Sequence, residues 1–453
     1  MEKHYELDMC SGSVLKKMLI FALPLMFSSV LQLLFNAADI VVVGRFAGDA
    51  SLAAVGSNTA LINLLTNLFI GLSVGANVIA ARHYGADEQK ELSKTVHTAM
   101  LLSVLSGALL TVTGLLFARQ LLVLMKTDSE VLELAAVYLR IYFAGMPAMM
   151  IYNFGSALLR AVGDTKRPLH YLFFAGVVNV ILNLIFVIAF KMDVAGVALA
   201  TVISQCISAF LIVRCLMNEQ GGMKLIFSEL RIDVKKFLSI MRIGLPAGFQ
   251  GVVFSLSNVV IQSSVNLFGK TVVAGNSAAS NIEGFIYVAM NAFHQAVLSF
   301  TGQNIGAGKY ERINRILVTG LACVFVTGAA LGGIVLAAGP QLLGLYSESA
   351  EVIEAGMVRL GFVLSTYFLC GMMDVMVGSI RGMGYSIMPM IVSLVGACGL
   401  RLLWIATIFQ MEQFHSVETI YISYPVTWTI TFATHLICFA VVRKRLGKGQ
   451  TET

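Results

Sequence analysis

The stretch from Met18 to Val43 reads MLIFALPLMFSSVLQLLFNAADIVVV, and Asp39 is the only charged residue among its 26 residues. A bilayer core of about 30 Å requires about 20 helical residues per crossing. The stretch is therefore long enough to span a membrane as a helix. It is much longer than the apolar region of a secretory signal peptide and has no small-residue cleavage site, so we expect it to remain in the mature protein. The stretch predicts a membrane-spanning helix that carries one acid.

Similar apolar stretches recur along the whole chain of 453 residues. The mean hydropathy is +0.83, 57% of the residues are apolar and 12% are charged, whereas soluble domains are roughly half apolar and a quarter charged. This composition excludes a soluble enzyme and predicts an all-α polytopic membrane protein. We predict twelve spans, at residues 18–43, 52–81, 95–118, 132–159, 169–190, 194–217, 238–268, 271–301, 316–338, 355–380, 389–410 and 418–442.

The distribution of Lys and Arg predicts the orientation. An even number of spans places both termini on one side. Of the 31 basic residues, 23 fall on that side and three fall inside spans. Five fall on the opposite side, and they are Arg45, Arg119, Lys126, Lys191 and Lys270. Because basic loops stay in the cytoplasm, both termini are predicted to be cytoplasmic. The net charge of +6 is then an orientation signal, and it does not indicate a nucleic-acid partner.

The sequence also contains an internal repeat. A single constant shift along the chain superposes Arg160, Gly163 and Pro168 on Arg381, Gly384 and Pro389, and with a slippage of one position Leu23-Pro24 matches Leu245-Pro246. Each copy holds six spans, so the copies are parallel. We predict six-helix lobes at 1–217 and 238–442, a cytoplasmic linker at 218–237 and a basic cytoplasmic tail at 443–453. Two such lobes around a central cavity predict alternating access.

Four polar residues of the first copy fall at similar depth. At about 1.5 Å per residue, Asp39 lies about 9 Å below the outer end of its span, Asn183 and Thr201 about 12 Å, and Asn179 about 18 Å. A carboxylate, two amides and a hydroxyl are ligands for a small cation, including Na⁺, or partners of a protonated acid. The alternative is that the amides and the hydroxyl only hydrogen bond between helices.

The second copy carries further ionisable groups inside its spans. Glu283 and Arg401 fall near the middle of the membrane, where we expect them either to neutralise each other or to form a second ion site. Asp374, seven residues before Arg381, either belongs to this second polar site, extends to water or pairs with that arginine. Arg359, five residues inside an outer end, is expected to extend to the interface. Pro24 and Pro246 each remove a helix hydrogen bond and are predicted hinges.

Two enzyme-like signals are set aside. Gly71-Leu72-Ser73-Val74-Gly75 matches the G-x-S-x-G hydrolase pattern, but it lies within a predicted span and not at a strand–turn–helix junction, which favours close helix packing. The sequence has no G-x-x-x-x-G-K-[ST] motif, so an ATP-driven pump is not expected. We predict no enzyme activity and no cofactor.

Several motifs resemble those of the multidrug and toxic compound extrusion (MATE) family. They are Leu23-Pro24, Asn36-Ala37-Ala38-Asp39, Gly85-Ala86, Arg160-Ala161-Val162-Gly163-Asp164, Asn179-x-x-x-Asn183, Gly302-Gln303-Asn304-Ile305-Gly306-Ala307 and Arg381-Gly382-Met383-Gly384. The resemblance covers nearly the whole chain. It implies a bacterial cell (inner) membrane antiporter, acting as a monomer, that exports organic and often cationic compounds in exchange for H⁺ or Na⁺.

The resemblance also implies site residues. Members with an ion site in the first lobe have an acid in the first helix, two polar or acidic positions in the fifth and a Thr in the sixth, which correspond to Asp39, Asn179, Asn183 and Thr201. Some members have Asp at the position of Asn183, which leaves H⁺ and Na⁺ both open. The acids of the second-lobe site of other members do not match here. The alternatives are a flippase for lipid-linked precursors on a related scaffold and a channel.

Overall fold

The structure is a computed structural model that describes residues 6–125 and 127–448. Lys3, Lys126 and residues 449–453 of the predicted basic tail lie outside the described residues. Within them, every regular element is helical, and twelve long segments are numbered α1 to α12 below. They are α1 (Val14–Phe46), α2 (Asp49–Gly85), α3 (Gln89–Leu124), α4 (Leu132–Ala144 and Met146–Ala161), α5 (Lys166–Leu184 with Ile185–Ala189), α6 (Asp193–Met217), α7 (Val234–Val265), α8 (Lys270–Gly306), α9 (Arg312–Ala337), α10 (Ala350–Leu364 and Tyr367–Gly382), α11 (Ile387–Ser393, Leu394–Gly399 and Leu400–Ala406) and α12 (Val417–Lys448).

These segments agree with the twelve predicted spans. Across the described part of the chain, nine helices are long and apolar enough to cross a membrane, and the two halves of α4 and of α10 make two more spans. The twelfth segment, α8, has 37 residues and carries Glu283. Short helical turns lie in the loops, at Gly221–Met223, Phe227–Glu229, Asn266–Phe268, Gly339–Gly344, Ile408–Gln410 and Glu412–Phe414. The prediction of an all-α fold with twelve long helices is confirmed.

Both copies of the repeat contain a bent span in the same place. The halves of α4 meet at 48° and those of α10 at 45°. Their second halves begin at Met146 and Tyr367, and the shift that relates the two copies superposes these positions. In α4, Pro147 lies in the first turn of the second half, where its missing N–H interrupts the helix without leaving a donor unpaired. The α5 and α11 spans each contain a π-helical segment, Ile185–Ala189 and Leu394–Gly399.

The contacts divide the chain into two compact units. Among the described residues, unit 1 comprises 6–8 and 27–252, and unit 2 comprises 9–26 and 253–448. The first part of α1 thus belongs to unit 2, and the first part of α7 belongs to unit 1. Both helices are continuous through Pro24 and Pro246. The predicted lobe boundaries and the hinge role of the two prolines stay predictions.

In unit 1, glycines bring the backbones of α2 and α7 into contact. A Cβ atom on Gly71 would lie 2.2 Å from the backbone nitrogen of Gly248, and one on Gly75 would lie 2.3 Å from the carbonyl oxygen of Ile240. Ser73, between the two glycines, is buried and donates to the carbonyl of Ile70 at 2.7 Å. The hydrolase-like stretch is therefore a helix-packing surface, as expected from its position in a span.

The linker between the two repeats is fixed to the start of α3. The backbone N–H of Gly222 donates to Gln89 at 2.8 Å, and that of Ile226 donates to the ring of His97 at 3.1 Å. Lys236, at the start of α7, pairs with Glu91 at 2.6 Å. These bonds explain why the linker and the first part of α7 belong to unit 1.

In unit 2, the segment before α1 is fixed to the end of α8. The side-chain amide of Asn304 donates to the carbonyl of Met9 at 3.0 Å, and Lys309 donates to the carbonyl of Cys10 at 2.9 Å. Phe21 of α1 meets Phe300 of α8 edge to face, with ring centroids 5.8 Å apart. Polar and aromatic contacts together attach residues 9–26 to this unit.

Candidate functional site

The four polar residues predicted in the first copy lie together in unit 1. Asn183 donates its amide N–H to the carboxylate of Asp39 and also lies 3.4 Å from the amide oxygen of Asn179. Asn179 in turn donates to the hydroxyl of Thr201 at 3.4 Å, and this hydroxyl is also adjacent to the carboxylate of Asp39. Helices α1, α5 and α6 thus contribute to one connected group of polar atoms.

The two asparagines are deeply buried, whereas the acid is partly accessible. Asn183 is 0% exposed and Asn179 is 4% exposed, while Asp39 and Thr201 are partly buried. The amide oxygen of Asn183 is buried and has no hydrogen-bond partner among the described residues. A buried oxygen without a donor is unfavourable, so this atom keeps an unused capacity to accept a hydrogen bond.

Three residues near Asp39 were missed by the sequence analysis. Tyr142 of α4 lies next to Gln205 of α6, and both Tyr142 and Tyr138 are close enough to Asp39 to interact with its charge. The two tyrosine rings stack with centroids 5.9 Å apart. Their spacing of four residues, and that of Gln205 from Thr201, was a usable signal, because residues four apart share a helix face.

The carboxylate of Asp39 has no basic partner in the part of the chain that the structure describes. An acid in the membrane interior is costly when charged, and amide or hydroxyl donors offset only part of that cost. Binding of a proton would remove the charge, and binding of Na⁺ would neutralise it.

In unit 2, the structure corrects two expectations. Glu283 accepts two hydrogen bonds from Arg359, at 2.8 and 2.7 Å, so its partner is Arg359 and not Arg401. Arg359 is 7% exposed and also donates to Asn276 at 2.8 Å. The prediction that Arg359 extends to the interface was therefore wrong: its guanidinium group points into the helix bundle, where the carboxylate replaces water.

Arg401 and Asp374, the other two residues of the expected second site, do not hydrogen bond with this ion pair. Arg401 is 3% exposed and donates to the hydroxyl of Thr427 at 2.9 Å. Asp374 hydrogen bonds with the hydroxyl of Tyr287. Cys370 is within electrostatic range of Glu283, Asp374 and Arg401, so the three groups share a neighbourhood without pairing with one another. Whether they form a second ion site stays a prediction.

The sequence model of the MatE family matches the chain twice, at residues 24–185 and 246–406. The two matches together cover well over half of the chain. The chain belongs to the MATE family. The starts of the two matches, and likewise their ends, are separated by nearly the same shift that relates the repeated motifs. The repeat found in the sequence is thus confirmed as two copies of the MATE module.

Relatives and solved structures agree with this assignment. The chain is 27% identical over 429 residues to the probable multidrug resistance protein YoeA of Bacillus subtilis, covering 92% of each chain. It is 29% identical over 396 residues to the probable multidrug resistance protein YpnP of the same organism, covering 87% of this chain and 88% of YpnP. A crystal structure of MATE in complex with MaL6 superposes with a TM-score of 0.91 at 22% identity, over 99% of this chain and all of that one.

Membership in the MATE family fixes the general class of the protein. MATE proteins are multi-pass membrane transporters and not enzymes, and their substrates are small molecules. The structural match shows that the MATE fold extends over the whole chain. The identity of the exported compound and of the coupling ion does not follow from the family.

Proposed function

We propose that this MATE protein is a secondary antiporter of the bacterial cell membrane. It exports organic compounds, among them cations, in exchange for a cation that enters the cell through a site at Asp39. The observation that carries the proposal is the carboxylate of Asp39, which lies in a membrane helix among Asn179, Asn183 and Thr201 with no basic partner in the described chain. The names of the relatives support drug export.

The proposed cycle follows from the charge of this one acid. With Asp39 ionised, the buried amide of Asn183 donates to its carboxylate, and the hydroxyl of Thr201 lies beside the same carboxylate. Uptake of a cation from outside neutralises the carboxylate and changes the donors and acceptors that α1 offers to α5 and α6. A ligand shifts such an equilibrium only by its difference in affinity for the two states. Coupling therefore requires that the drug and the cation favour different arrangements of α1.

The hydrogen bonds favour H⁺ as the coupling ion. The amide nitrogen of Asn183 donates to the oxygen atoms of both Asp39 and Asn179. It therefore occupies the place where Na⁺ would have to bind to be coordinated by these two oxygens. A proton needs no such space. Na⁺ is the second candidate, because rotation of the Asn183 side chain would turn its unpaired oxygen toward Asp39 and complete a set of oxygen ligands.

The test is export of a fluorescent organic cation by proteoliposomes under an imposed pH gradient or an imposed Na⁺ gradient. We expect Asp39→Asn to abolish gradient-driven transport, because the amide cannot be protonated and carries no charge. Asp193→Asn is the matched control, since Asp193 is an exposed acid at the start of α6, and it should transport like the unaltered protein. Full transport by Asp39→Asn would contradict the proposal.

The same vesicles separate the alternatives. Transport driven by a pH gradient alone identifies H⁺, and transport driven by a Na⁺ gradient alone identifies Na⁺. A channel would pass the compound without stoichiometric exchange for the cation. A flippase would instead require a lipid-linked substrate and would show no export of the soluble probe.

A further inference from the structure

Arg401 is a buried cation without a carboxylate partner. Its side chain belongs to α11 and the residue is 3% exposed. Across the described ranges, the one hydrogen bond that it makes goes to the hydroxyl of Thr427, and its Nε atom is buried with no acceptor. An arginine at this depth is costly for a membrane protein unless an anion or a strong acceptor compensates it. The local structure supplies only part of that compensation.

The surroundings of Arg401 are aromatic. Its guanidinium carbon lies 4.0 Å from the ring centroid of Tyr424 and 5.8 Å from that of Trp428. Tyr424 and Trp428 meet edge to face at 5.4 Å, and Tyr367 lies 5.6 Å from Trp428. Cation–π contacts of this kind orient a guanidinium group and leave its edge available for a planar acceptor.

The charges around Tyr424 leave the guanidinium group of Arg401 uncompensated. Arg359 also lies over Tyr424, at 5.5 Å, but Glu283 neutralises it with two hydrogen bonds. Two arginines thus share one tyrosine ring, and the carboxylate beside them binds only one of the two. Glu283, Arg359 and Arg401 sum to one positive charge, and Asp374 in the same neighbourhood hydrogen bonds with Tyr287 and not with Arg401. A buried positive charge attracts an anion more strongly than it would at the surface.

The repeat shows that this charge is a departure from the first copy. The shift that superposes the two copies places Arg401 on Val180, next to Asn179 of the Asp39 site. Where α5 offers the amides of Asn179 and Asn183 to the Asp39 site, the corresponding span α11 offers a guanidinium group. The π-helical segment Leu394–Gly399 ends two residues before Arg401, and such segments frequently occur at functional sites.

We propose that Arg401, together with Tyr424 and Trp428, binds the carboxylate of aromatic organic acids. The planar guanidinium fork matches a carboxylate through two parallel hydrogen bonds, and its Nε, which lacks an acceptor, supplies one of the two donors. The aromatic rings pack against the apolar part of the ligand. This site goes beyond the cation exchange at Asp39 and gives the transporter a second chemical class of ligand.

Trp428 provides a direct readout, because the chain has only two tryptophans. In the Trp404→Phe variant of the full-length purified protein, fluorescence reports on Trp428 alone, 5.8 Å from Arg401. The probes are benzoate and its neutral isostere benzamide, with chloride as an inorganic anion. We expect benzoate to change the fluorescence saturably and to bind at least about tenfold more tightly than benzamide, since a charged hydrogen-bonded pair is lost in the amide.

Variants then assign the selectivity to Arg401. In the same background, Arg401→Gln should lower benzoate affinity by about tenfold or more and leave benzamide binding unchanged. Arg401→Lys keeps the charge without the fork and should give an intermediate affinity. Arg140→Gln is the control, because Arg140 is an exposed arginine of α4, and Asp39→Asn should bind benzoate normally, which separates this proposal from the one on cation exchange.

Equal binding of benzoate and benzamide by the parent protein would overturn the proposal without any arginine variant. Chloride binding as tight as benzoate binding would also overturn it, since the site would then be a general anion site. Unchanged benzoate affinity in a folded Arg401→Gln or Arg401→Lys protein would place the ligand elsewhere.

Discussion

The pair formed by Glu283 and Arg359 is the most completely bonded ionic contact described in the membrane part of unit 2. Both residues are buried, and two of the guanidinium nitrogens bind the two carboxylate oxygens. Removing one partner leaves the other as an unpaired buried charge. We therefore expect Glu283→Gln or Arg359→Gln to lower the free energy of unfolding by about 3 to 5 kcal/mol, measured by thermal unfolding in detergent.

The double variant and a surface pair make this prediction specific. Glu283→Gln with Arg359→Gln removes both charges and should be more stable than either single variant. Arg119 and Glu133 form a pair of similar length, 2.9 Å, but with side chains 56% and 70% exposed, so Arg119→Gln should change the stability by less than about 1 kcal/mol. Single variants of the buried pair that unfold no earlier than this control would contradict the expected role.

At this scale, residue depth could be predicted from the sequence but the direction of side chains could not. Counting residues from a span end placed Asp39, Asn183 and Thr201 at similar depths, and the structure shows them in contact. The same counting failed for Arg359, because it gives depth but not direction, and the direction in which successive side chains point goes through a full circle about every 3.6 residues. Its partner depends on the rotation of α10 about its axis, which packing determines.

At the scale of helices, the contact between α2 and the first part of α7 rests on the absence of side chains. A Cβ atom on Gly248 would lie 2.2 Å from the carbonyl oxygen of Leu68, and the atoms in the way are backbone atoms that cannot turn aside. We expect Gly248→Ala to push the two helices apart and to lower the free energy of unfolding by about 1 to 3 kcal/mol, as measured by thermal unfolding.

Gly56 is the matched control, because it lies in α2 with nothing within 4 Å of the position of a Cβ atom. Gly56→Ala should leave stability unchanged or raise it by up to about 1 kcal/mol, since alanine favours the helix more than glycine does. If both substitutions had the same effect, helix propensity and not close packing would explain the role of Gly248.

The helices could be predicted from the long apolar stretches, because backbone groups in lipid must hydrogen bond within the segment and a helix is one of the few structures that achieves this. The bends in α4 and α10 and the π-helical segments in α5 and α11 were not predicted. Pro147 was a visible signal for the first bend, but the second occurs at Ser365 and Thr366, where the sequence contains neither proline nor glycine. Such breaks depend on contacts with neighbouring helices.

At the scale of the whole molecule, the asymmetry of positive charge determines the predicted orientation. By the predicted spans, 23 basic residues fall on the side of the termini and five on the opposite side. Reversing the orientation would place the larger set outside the cell, against the bias that keeps basic loops in the cytoplasm. Lys90 and Lys191 are suitable probes of the two sides, since both are exposed, Lys90 in the first turn of α3 and Lys191 between α5 and α6.

We expect these two positions to react differently with a membrane-impermeant maleimide on intact cells. The seven cysteines are first replaced by alanine or serine, and Lys90→Cys or Lys191→Cys is then introduced. Lys191→Cys should react on intact cells, because it lies in the turn between α5 and α6 at the predicted outer face. Lys90→Cys should react only after permeabilisation. The reverse pattern would place both termini outside the cell. The carboxylate of Asp39, near the opposite end of α1, would then lie in the cytoplasmic half of the membrane. A cation gradient directed into the cell could no longer load it from outside.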